Sequence, residues 1–200
     1  MKKEVVFCAQ CETEFPAVKP NESKLRLKLD GRAKIENFYA LTRFTRSSKI
    51  QKAIHLLKYG DKPKVGHQLG IAFANKITLD KSIDYIIPVP LHPIKLKNRG
   101  YNQSEEFANG ISYKNTIPII NSILHKTSHT QSQASKNRNE RLVFNPKAYK
   151  LDDKQKILQE RHILLVDDVI TTGVTLENCI AAFKDVKNIR ISIAVIAFTE

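Results

Sequence analysis

Apolar residues recur along this chain with two different spacings, and the change from one to the other divides it. From Leu25 to Leu29 every second residue is leucine, "LRLKL", and Asp30-Gly31 follows as a strong hairpin-turn signal, with "NFYALTRF" placed to continue the pairing. This predicts a small β-rich segment over residues 1–45. After it the spacing becomes helical: Ile50, Ala53, Ile54 and Leu57 fall on one face, with Gly60 as a stop, and Val65, Leu69, Ala72 and Phe73 predict a second helix. Beyond these the pattern alternates strand and helix. "IDYIIPVP" reads as a strand closed by prolines, and "NQSEEFANGI" as a short helix whose Asn102 and Glu105 match a capping box. "IPIINSILHK" reads as extended, and residues 127–161 as a polar, basic loop with a short helix near "KQKIL". The end of the chain is strand, turn, helix and strand: "HILLV", a polar turn, "TLENCIAAFK" and "IRISIAVIAF". Continuous apolar runs suit strands covered on both faces, so residues 46–200 are expected to form an α/β domain with a mostly parallel sheet and a right-handed βαβ unit at its close.

The polar turn of that unit carries the candidate chemistry. "RHILLVDDVITTGVT" ends an aliphatic run in two adjacent carboxylates, then threonines around a glycine. At the carboxyl end of a parallel strand, where ligands bind, the helix start offers unpaired N–H groups and a positive dipole end. Asp167 and Asp168 are acceptors suited to the vicinal diol of a ribose. Thr171, Thr172, Gly173, Val174 and Thr175 supply hydroxyl and backbone donors that suit a phosphate. No Gly-Lys-Ser/Thr follows, which excludes a P-loop.

Charge supports an anionic guest without naming it. The 200 residues carry 33 Lys and Arg against 20 Asp and Glu, a formal charge of +13. The stretch from His92 to Lys150 holds ten of those cations against three acids. Phosphate esters and nucleic acid are favoured partners. No apolar run approaches membrane-spanning length, and three cysteines, an odd number, fit a reducing compartment, so a cytoplasmic protein without membrane insertion is expected.

The motif from the aliphatic run through "TTGVT" resembles the signature of type I phosphoribosyltransferases. Upstream, "IPVPLHPIKLKNRGYNQSEEFA" is similar to the ComF family, phosphoribosyltransferase-like proteins tied to DNA uptake in competent bacteria, and the likeness runs from about Phe38 to the C-terminus. It implies a type I phosphoribosyltransferase-like α/β fold with a small N-terminal β-rich hood, binding phosphoribosyl pyrophosphate with Mg²⁺. It implies further that Asp167 and Asp168 are the catalytic carboxylates, and that Pro88, Val89 and Pro90 begin a loop facing the diphosphate. An unusual peptide geometry there would aim N–H groups inward. Arg99 would clamp the diphosphate, with Lys95 and Lys97 as point charges beside it. Thr130, Gln133 and Arg141 match the family's flexible-loop pattern, although the family's following Asn is displaced here by one residue, to Asn145.

Relatives often begin with a four-cysteine zinc module, of which Cys8 and Cys11 are the remnant. Two thiolates do not close a tetrahedral Zn²⁺ site, which would need a histidine or a neighbouring chain. Two rival functions stand beside the transferase: a competence factor binding single-stranded DNA, with Tyr101, Phe107, Tyr113, Phe144 and Tyr149 as stacking candidates, and a nucleobase-salvage enzyme. Against the latter, the chain stops at Glu200, directly after its last predicted strand. Homo-oligomers are compatible with all three.

Overall fold

A computed structural model describes Val18 and residues 34–45, 48–127 and 144–199. Among these residues, four parallel strands form the central sheet in the order β1-β6-β5-β2. These are β1 (Phe38–Arg43), β2 (Tyr85–Pro88), β5 (His162–Ile170) and β6 (Arg190–Phe198). Between them come α1 (Lys49–Tyr59), α2 (Pro63–Lys76), α3 (Pro93–Arg99), α4 (Gln103–Asn115) and α5 (Val174–Ala181). A second sheet pairs β3 (Leu124–Lys126) antiparallel with β4 (Tyr149–Leu151), ahead of a 3₁₀ helix at Asp153–Leu158.

The aliphatic runs form strands because both faces are covered. On β5, Leu164 and Val166 pack into one apolar cluster with Leu57, Leu69, Phe73 and Phe107 of the helices α1, α2 and α4. Ile163 and Leu165 enter the opposite cluster with Leu176, Cys179 and Phe183. Alternate residues thus feed alternate layers, and no polar face is left for solvent. The two helices read from spacing form as expected, and α1 buries Ile50, Ala53, Ile54 and Leu57.

Three expectations take a different form. "NFYALTRF" forms β1, which lies parallel to β6 at one side of the described sheet with five consecutive buried residues, while the predicted hairpin at residues 25–31 lies outside the described residues. Of residues 127–161, the stretch 128–143 lies outside the described residues, while the rest is anchored structure around buried Tyr149 and Leu158. Residues 93–99, to which the apolar spacing assigns no element, form α3, a short helix capped by the His92 ring and Gly100 that buries none of its residues. Among the described residues no helix is long and apolar enough to cross a membrane.

At the start of β5, His162 is fully buried between two serines, its Nδ1 2.8 Å from Ser82 Oγ and its Nε2 2.8 Å from Ser192 Oγ. Burial, and secondarily the Arg190 charge, lower its pKa against weaker opposing pulls from Asp80, Glu36 and Asp84. A histidine kept neutral in the fold stabilises fully above its unfolded value of about 6.5 and loses that contribution as pH falls below it, with a limiting slope of about 1.4 kcal/mol per pH unit. We expect His162→Gln to flatten the loss of unfolding free energy below pH 6.5 in urea titrations. An unchanged slope would remove His162 from acid sensitivity.

Candidate functional site

β5 outruns its neighbour. β2 stops at Pro88, opposite Val166, while β5 continues to Ile170, still paired with Phe198 of β6. Asp167 and Asp168 therefore lie within the strand, on its overhanging end, and not in the turn where the sequence reading put them. Neighbouring strand residues point to opposite faces, and the two carboxylates meet different surroundings.

Asp167 is buried. Its Oδ1 accepts from Ser104 Oγ at 3.0 Å and from the Asp168 backbone N–H at 2.8 Å. Burial first, and then the negative charge of Asp168, push its carboxyl up to about 7. Asp168 is less enclosed, and its Oδ2 lies 2.8 Å from Lys58 Nζ at the end of α1. Its Oδ1 accepts from the Val169 N–H.

The space left by the short β2 is filled by the start of α4. Asn102 caps that helix by accepting from Ser104 N at 3.2 Å, and its Nδ2 donates to Val89 O at 3.0 Å. The other half of the expected capping box is taken elsewhere, since Glu105 accepts from Asn121 Nδ2 at 2.7 Å. Asn102, Gln103 and Ser104 are all buried, and they join the Pro88–Pro90 segment to the acid pair.

After Ile170 the chain turns through Thr171, Thr172 and Gly173 into α5. Gly173 sits at φ 85°, in the left-handed region that glycine enters without strain, and it is the N-cap of α5 with no side-chain cap. The first N–H groups of α5 are left without a capping oxygen at a positive helix end. Thr171, Thr172 and Thr175 are exposed, and with Asp167 and Gly173 they line one recess of about 30 Å³, room for one or two waters.

The proline segment departs from expectation. No described peptide bond is cis, and Val89 N donates to Val166 O at 2.8 Å, extending the β ladder. Pro88 and Pro90 lack an N–H. This segment thus has no free backbone donor before Leu91, and Val89 itself is a core residue.

Arg99 lies over the Tyr59 ring, 5.8 Å from its centroid. The structure thus brings Asp167 together with Thr171, Thr172, Gly173 and Thr175 in one recess, while Asp168 meets Lys58 and Arg99 covers Tyr59 at the end of α1. Thr130, Gln133, Arg141, Cys8 and Cys11 lie outside the described residues. Asn145 is at a defined place, its N–H donating to Asn178 Oδ1 of α5 at 2.8 Å. Phe107 and Tyr149 are buried and cannot stack on bases, whereas Tyr113 and Phe144 are exposed. Sequence reasoning missed Lys58 and Ser104.

A family model described as "Phosphoribosyl transferase domain" matches residues 73–199. Competence protein F of Haemophilus influenzae is 37% identical to this chain over 91 residues, which make up 46% of this chain and 40% of that protein. The chain thus matches less than half the length of this curated relative.

Proposed function

Since the chain belongs to the phosphoribosyl transferase domain family, we propose that its site binds phosphoribosyl pyrophosphate together with Mg²⁺. One observation carries this reading: the carboxylate of Asp167 and the donors of the Thr171–Thr175 turn line the same recess. Diol acceptors and a phosphate cradle on one wall are what a ribose 5-phosphate requires. Asp167 and Asp168 receive the ribose hydroxyls, while Thr171, Thr172, Gly173, Val174 and Thr175 surround the 5-phosphate. Arg99 approaches the diphosphate from the α1 side, and Pro88, Val89 and Pro90 shape the wall of the pocket without donating to it.

The donor set fits a metal that arrives with its substrate. Mg²⁺ is usually held by one or two carboxylates, water and substrate phosphates, and Asp168 is the partly exposed carboxylate here. When bound, the ion neutralises charge on a departing diphosphate. The chain's own contribution is to fix the ribose ring and place negative charge beside an anomeric carbon that becomes cation-like as the diphosphate leaves.

A link to DNA uptake rests on the similarity to competence protein F. Single-stranded DNA binding without turnover is the second reading, favoured by α3, where Lys97 is exposed beside exposed Ile94 and Leu96. Calorimetric titration with phosphoribosyl pyrophosphate and Mg²⁺, then a screen for pyrophosphate release with bases, amines and single-stranded DNA, separates the two. Absence of binding would sink the transferase reading, and binding without release would favour the second. A crystal grown in sulfate should show an ordered anion at the Thr171–Thr175 turn, and Thr171→Val with Thr175→Val should weaken phosphoribosyl pyrophosphate binding about tenfold. An anion ordered elsewhere with this turn empty would count against the cradle.

A further inference from the structure

Lys58 precedes the family match at residues 73–199, yet its ammonium contacts the acid pair at 2.8 Å. The end of α1 that carries it is held in place. Tyr101 Oη donates to Leu57 O at 2.6 Å, Gly60 N donates to Leu56 O at 2.9 Å, and Arg99 covers Tyr59. The helix end so fixed carries Lys58 onto Asp168 of the overhanging strand.

We infer that Lys58 is a ligand-selecting residue, which exchanges Asp168 for an anionic group on carbon 1 of the ribose and so makes the site prefer phosphoribosyl pyrophosphate over ribose 5-phosphate. This rests on the reading that the site takes phosphoribosyl pyrophosphate. A ribose hydroxyl seated on Asp168 takes the oxygen that Lys58 now holds. The Lys58–Asp168 pair is partly open to solvent, with side chains 27% and 14% exposed, so its rupture costs little. What happens to the displaced ammonium depends on the ligand. Carbon 1 adjoins the hydroxyl-bearing carbon 2, which puts its substituent within the swing of a four-carbon side chain. A diphosphate there gives Lys58 a new and stronger anionic partner, whereas the neutral hydroxyl of ribose 5-phosphate gives it none. A lysine serves this exchange better than an arginine locked in a bidentate pair, because it is a mobile point charge.

A purely structural salt bridge makes a different forecast, since its removal would affect both ligands alike. Calorimetry on wild type, Lys58→Gln and Lys58→Arg, each with Mg²⁺–phosphoribosyl pyrophosphate and with ribose 5-phosphate, decides between them. Lys58→Gln should weaken phosphoribosyl pyrophosphate by about 10- to 100-fold and leave ribose 5-phosphate unchanged or a few-fold tighter, while Lys58→Arg keeps most of the preference. Equal weakening of both ligands, or an unchanged preference, would overturn the role of Lys58 and leave the ligand reading intact. Wild-type protein that binds neither ligand would overturn both.

Discussion

The Asp167→Asn, Asp168→Asn double variant should fold normally and lose about 2–4 kcal/mol of affinity for phosphoribosyl pyrophosphate, roughly 30- to 1000-fold. Asparagine keeps the shape of each side chain and one acceptor oxygen, but it removes the charge that makes a hydroxyl-to-carboxylate bond strong. Folding should not suffer, because the wild-type arrangement is itself unfavourable. Asp167 is buried beside a second carboxylate, and its carboxyl is pushed up to about 7. A carboxyl whose folded pKa is raised stabilises most below its unfolded value of about 4, and that stability is lost as pH rises toward 7. The double variant lacks this loss, so at pH 8 it should be at least as stable as wild type. Binding should run the other way in wild-type protein and tighten as pH rises through about 7, when Asp167 becomes the better acceptor. Titration calorimetry and thermal melts on the same samples test both halves. Unchanged binding by a folded double variant would take the acid pair out of the site.

What the sequence disclosed about this site follows from the range of the interactions. The helical face of α1 and the aliphatic runs of β5 and β6 were legible because each is a local pattern repeated over several turns or residues. The α/β class and the position of the acid pair at the carboxyl edge follow from those runs. Lys58 was not legible, because its contact with Asp168 spans most of the chain and exists only once α1 is docked by Leu57 and Tyr101. Helix α3 escaped for a different reason: it buries none of its residues, so no face repeats. The place of β1 beside β6 and the overhang of β5 depend on which strand is the neighbour and where it stops, which hydrophobic spacing does not encode. Val89 shows the same limit, since the proline spacing marked a special segment correctly but could not reveal that its one N–H is spent on Val166.

The site also depends on a contact far from any ligand, where α2 crosses α4. Gly70 and Gly110 meet backbone to backbone: a Cβ on Gly70 would lie 2.7 Å from Gly110 Cα, and one on Gly110 would lie 2.8 Å from Gly70 Cα while striking the carbonyl oxygen of His67. Neither obstacle is a flexible side chain, so relief requires the two helices to part. We expect Gly110→Ala to destabilise the fold by about 3 kcal/mol, at the upper end of typical overpacking and well above the ~1 kcal/mol that alanine gains in helix propensity. For a chain of this size that corresponds to a fall in Tm of about 6–12 °C. The damage should reach the ligand, because α4 carries Asn102 and Ser104, which hold Val89 O and Asp167 in register. Gly100→Ala is the control. That glycine sits at φ 80° with nothing within 4 Å of a built Cβ, so the change meets only backbone strain, about 1 kcal/mol. Thermal melts of both variants, with phosphoribosyl pyrophosphate titrations at 15 °C where Gly110→Ala remains folded, give the comparison. A Gly110→Ala protein as stable as Gly100→Ala, with undiminished affinity, would show that the helix crossing can open without disturbing the acid pair.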